Sequence, residues 1–173
     1  MISKEFGITK KTEFISTNFL HTNWLDLIKE IDISKNIEVL SRLLSNSSYI
    51  PRTNEEILDN LYDATLAILD TSPKLNREEK TRAQYFSYNL CSCDECQKEC
   101  AAHINKKGQI RISKKVFINT LKQTGSSPPG LLELMYIILF EMLSGIFIEL
   151  DRKTLANTAQ DVWKSGMTEL NKE

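Results

Sequence analysis

The stretch that most limits what this chain can fold into is "LLELMYIILFEMLSGIFIEL", residues 131–150, an almost continuous apolar run. It is as long as a membrane-crossing helix needs to be. Glu133, Glu141 and Glu149 interrupt it, and a carboxylate near the middle of a bilayer costs on the order of a few kcal/mol. No dense Lys/Arg cluster abuts either end. The expectation is a buried helix of a globular domain, apolar around most of its circumference, and no membrane partner. With 173 residues the chain can bury a sizeable core, and with a net charge of −1 it needs a local patch to hold any polyanion. The opening "MISKEFGITKKTEF" lacks the apolar core and small-residue cleavage site of a secretory signal. A cytoplasmic location, with reduced thiols, is therefore expected.

Around that run the periodicities predict a mainly helical α+β fold with a small antiparallel hairpin or sheet. "TNFLHTNWLDLIKEI" and "SKNIEVLSRLLSN" space apolar residues three and four apart. Thr53 with Glu56 and Asn76 with Glu79 have capping-box spacing, opening a helix through Ser72 and a second through "REEKTRAQYFSYNL". "AAHINKKGQIRIS" reads as a hairpin turning at Gly108. Ser113 is placed to cap "KKVFINTLKQ", and Asp151 to cap a last helix that Gly166 ends. The expected organisation is a helical region over 1–90, a unit over 91–166 packed with it as one domain, and a tail over 167–173.

All the cysteines fall in "CSCDECQKEC", and His103 follows three positions later. Cys91, Cys93, Cys96, Cys100 and His103 are soft or borderline ligands, more than the four a tetrahedral zinc requires. On a helix Cys96, Cys100 and His103 would share one face, whereas if His103 belongs to the first hairpin strand the ligands are the four cysteines. A structural zinc is the leading reading. Disulfide or redox chemistry and no special role compete with it. With a full set of protein ligands such a site leaves no open position for water, and hence no catalysis.

The order hairpin, helix, long helix with "FEMLS", final helix, over roughly 101–166, resembles the zincin metallopeptidases, particularly the minigluzincins. The resemblance implies that "GQIRIS" forms the strand along which a substrate peptide lies, and that the long helix matches the one bearing H-E-x-x-H. Position by position, Phe140 and Ser144 stand where the two zinc-binding histidines would be, and Glu141 matches the glutamate that polarises the metal-bound water. Phenylalanine cannot bind zinc, and a neutral serine hydroxyl substitutes poorly for imidazole. The chain's two histidines, His21 and His103, supply no replacement pair. The last helix offers Asn157, Gln160 and Asp161, but no glutamate before Glu169, so the third ligand has no match. The resemblance thus implies a pseudopeptidase with no catalytic residues.

The function expected is a non-catalytic, zincin-derived interaction or regulatory protein with structural zinc at the cysteine cluster. Ile110, Arg111 and Ile112 are the candidate peptide-binding residues, pairing a protein or peptide partner by strand addition. One rival is an active hydrolase rebuilt around Glu141 and Ser144. Another is a nucleic-acid-binding zinc module using Lys106, Lys107, Arg111, Lys114 and Lys115, which the absence of interleaved aromatics disfavours. Away from a metal, Glu141 is expected to be partly exposed, or hydrogen-bonded and paired with a lysine.

Overall fold

Most of the long apolar run forms a helix about which the other described elements are arranged. The computed structural model describes residues 38–39, 42–43, 53–92, 102–124, 128–150 and 151–172. The five longer helices are α1 (Asn54–Thr71), α2 (Arg77–Gln84), α3 (Lys114–Thr124), α4 (Pro128–Ile146) and α5 (Arg152–Asn171). The strands are β1 (Ser87–Cys91), β2 (Ala102–Ile104) and β3 (Gln109–Ser113). The fold is mainly helical α+β, as the periodicities predict, with one mixed sheet of three strands. α4 touches α1, α2, α3, α5 and both hairpin strands. That fits its composition, because a helix without a polar face has to be covered on every side.

Local chemistry fixes the helix starts. Thr53 and Asn76 each make the reciprocal capping box with the glutamate three residues on, and the Asp151 carboxylate accepts from Thr154 N–H at 2.7 Å. Ser113 Oγ accepts from Val116 N–H at 3.2 Å at the start of α3. Two arginines close helix ends: Arg82 donates to the Ile146 carbonyl of α4 at 3.2 Å, and Arg42 donates to the Leu170 carbonyl of α5. A guanidinium at a helix C-terminus satisfies orphan carbonyls and complements the helix dipole.

The sheet order is β1-β3-β2, with β1 parallel and β2 antiparallel to β3. The predicted hairpin is β2–β3. Its turn closes with Gly108 N–H donating to the Asn105 carbonyl at 3.0 Å, and Gly108 adopts φ 78°, a conformation that glycine reaches without a Cβ clash. In register, Tyr88 lies beside Ile110 and Leu90 beside Ile112, while Ile104 and Ala102 flank the same two isoleucines from β2. Cross-strand partners share a face, so this row packs on the core.

Three sequence expectations are corrected. The helix predicted through "REEKTRAQYFSYNL" ends at Gln84, and from Ser87 the chain is β1: Phe86 just before the strand, then Tyr88 and Leu90 within it, alternate onto the core with period two. The sheet is accordingly mixed, not antiparallel throughout. Where a tail is expected over 167–173, α5 continues to Asn171, with Met167 and Leu170 buried. Gly166 does not stop this helix. A Cβ there would stand 2.3 Å from the Ile68 carbonyl oxygen, so the glycine lets α5 approach the backbone of α1. Of the two predicted N-terminal helices, residues 38–39 and 42–43 are helical, and the remainder lies outside the described residues. No helix among the described residues is long and apolar enough to cross a membrane.

Candidate functional site

Phe140, Glu141 and Ser144 all lie within the buried part of α4, exposed by 1%, 2% and 0%. One turn away on the same helix, Glu141 has Ile137, Ile138, Ser144 and Gly145 as its neighbours. Gly145 brings the helix so close to the sheet that a Cβ would meet the Ile104 side chain at 2.6 Å and the Phe86 ring at 2.7 Å. The Ser144 hydroxyl donates to the Phe140 carbonyl at 3.0 Å, which engages its proton with the backbone of its own helix.

Glu141 departs from the expected exposed or lysine-paired state. Its Oε1 is buried with no hydrogen-bond partner. Burial drives its pKa well above the ordinary carboxylate range, because the charged form has lost its water. Burial at this position thus favours the protonated acid over the carboxylate. Nothing ionic in the sequence pattern signalled this; the informative feature was the absence of a polar face on the helix that carries it.

The other predicted ligands fall in two classes. Cys93, Cys96 and Cys100 lie outside the described residues. Cys91 ends β1 as a half-buried residue, and His103 is buried in the middle of β2, so His103 cannot share a helix face with Cys96 and Cys100. Cys91 pairs with Ser113 and His103 with Arg111, on opposite sides of β3. Two strand spacings and two residues of offset separate their Cα atoms by about 12 Å, which is long for two ligands of one zinc. The strand position of His103 leaves the four-cysteine set as the consistent alternative. Among the described residues no three His, Cys, Asp or Glu side chains come together as a metal group.

The candidate peptide-binding residues are corrected by topology. β3 is the central strand, its backbone already paired on both sides, and Ile110 and Ile112 are buried. No added strand can reach Ile110, Arg111 or Ile112 in an edge-on ladder. The basic residues also divide: Lys106 and Lys107 precede β3 at the turn, and Lys114 and Lys115 follow it, so the pairs are separated by a strand of about 17 Å. On α5, Asp161 is exposed and Glu169 pairs with Lys172 at 3.0 Å. Both line a surface depression with Lys74, Lys164, Ser165 and Thr168.

A group the sequence reading missed stands beside β1. The Tyr62 and Tyr88 rings stack with centroids 3.9 Å apart, and Tyr88 Oη donates to Asp59 at 2.8 Å. Asp63, one turn along α1, has its pKa raised by partial burial and by the neighbouring Asp59 carboxylate. The i, i+4 spacing of Asp59 and Asp63 was visible in the sequence, but only β1 brings Tyr88 to it. No family model, curated protein or solved structure matches this chain.

Proposed function

We propose that this protein is a non-catalytic interaction module, a zincin-like unit whose former active-site helix serves as core, with a structural zinc held by the cysteine cluster. The observation that carries the first part is the burial of Glu141. A glutamate that activates water needs to be ionised and to reach that water, whereas this one is buried and burial raises its pKa. Phe140 adds apolar volume where an imidazole would coordinate, and Ser144 spends its hydroxyl on the helix backbone. Support for the metal is topological. Residues 92–101 join Cys91 to Ala102 at the same end of the sheet, across ends about 10 Å apart. Cysteines within so short a connection are well placed to tie the two flanking strands together when metal-bound.

Incubation of the full chain with a broad peptide library, with and without chelator, tests the non-catalytic reading. The expected result is no cleavage above a Glu141→Gln control. Reproducible cleavage lost in that variant would establish the rival hydrolase instead.

A further inference from the structure

We infer that the outer edge of β1 is a docking edge for an extended basic peptide segment of a partner protein, added to the sheet as a fourth strand. This rests on the interaction-module reading and names its partner class. Ser87 N–H donates to the Gly108 carbonyl at 2.9 Å, so in the parallel ladder Ser87, Asn89 and Cys91 turn their backbone groups toward β3. By alternation Tyr88 and Leu90 turn theirs outward. Among the described residues, neither outward N–H donates to another backbone group, and the Leu90 carbonyl is met only by the Asn89 side-chain amide at 3.1 Å. This edge has a charged flank.

That flank selects the occupant. Asp59 and Asp63 are exposed on α1, and Asp59 accepts from the Tyr88 hydroxyl at 2.8 Å, which sets the acidic row beside the Tyr88 side chain on the face above β1. Glu55 continues the row one turn earlier. Among the described residues neither Asp59 nor Asp63 is paired with a cation; Asp59 accepts only from Tyr88. Tyr85, 82% exposed at the entry to β1, adds an aromatic surface beside the row. A second copy of this chain would bring two acidic rows together edge to edge, which like-charge repulsion opposes. A strand with Lys or Arg at alternate positions sets its cations against the row while its backbone completes the bonds of Tyr88 and Leu90.

The test uses the full chain with a seven-residue peptide alternating Val and Lys, and a twin alternating Val and Glu. The lysine peptide is expected to slow amide exchange at Tyr88 and Leu90 at least tenfold, leaving Ser87, Asn89 and Cys91 unchanged. Absence of that alternating protection, or equal protection by the glutamate peptide, overturns the inference. The double variant D59N/D63N, whose exposed side chains carry no core packing, is expected to bind the lysine peptide at least fivefold more weakly; unchanged affinity refutes the basic occupant. Mass spectrometry of the recovered peptide keeps the two readings apart. Cleavage there overturns the non-catalytic reading, while the protection pattern decides the docking edge.

Discussion

Replacing Glu141 by glutamine or methionine tests the central feature of this core directly. With the native pKa raised by burial, the folded chain keeps a proton that the unfolded chain releases at an ordinary carboxylate pKa of about 4.3. Between those two values the native state binds the extra proton, so stability falls as pH rises. The contribution is whole below the unfolded pKa and is lost progressively up to the raised native one. Its slope is about 1.4 kcal/mol per pH unit for one proton, or about 3–6 °C of thermal midpoint per unit for a chain of this size. Urea unfolding of the wild type, E141Q and E141M from pH 4 to 9 gives difference curves in which the other titrating groups cancel. Both variants are expected to gain on the wild type as pH rises above about 5, with E141M the more stable because its side chain needs no hydrogen bond. Parallel curves would refute the neutral, buried acid. Loss of about 3–5 kcal/mol on substitution at neutral pH would instead reveal an ionised carboxylate paired in the interior.

Two other outcomes follow from close approaches and from the cysteines. Gly166→Ala puts a Cβ 2.3 Å from a backbone oxygen of α1, which cannot turn aside, so about 1–3 kcal/mol or more of stability is expected to be lost in urea unfolding. Gly145→Ala meets the ends of Ile104 and Phe86 side chains instead and is expected to cost less; the reverse order would count against the described packing of α5 on α1. For the cysteine cluster, protein purified without added metal is expected to hold about one zinc per chain, with thiols that react only after chelation. Rapidly reacting thiols and no metal would remove the structural site.

Much of the architecture was legible because local signals agreed with the final packing. The two capping boxes, the Asp151 and Ser113 caps and the Gly108 turn each involve residues within four positions of one another. What was not legible depended on distant neighbours. Phe86, Tyr88 and Leu90 fit a strand of period two, but the capped start of α2 extended the helical reading over them. Gly166 looks like a helix stop until Ile68 of α1 is set beside it, whereupon it becomes the reason the helix can continue. The central place of β3 needed β1, whose parallel pairing joins residues more than twenty positions apart. That one pairing puts the candidate residues Ile110, Arg111 and Ile112 in the middle of the sheet and not at its edge.

The same pairing explains why loss of an active-site geometry and gain of a docking edge belong together in the proposed function. α4 can be apolar on all sides only because α1, α5 and the sheet cover it, and that cover is what shuts Glu141 away from water. On the proposed reading recognition uses a surface where backbone groups remain available, such as β1 beside the acidic row of α1. An extended partner at that edge would not disturb α4, because Tyr88 and Leu90 already meet the core through their side chains and offer only their backbone outward. Substitution at Glu141 should therefore alter stability without altering edge binding, whereas charge removal at Asp59 and Asp63 should weaken edge binding.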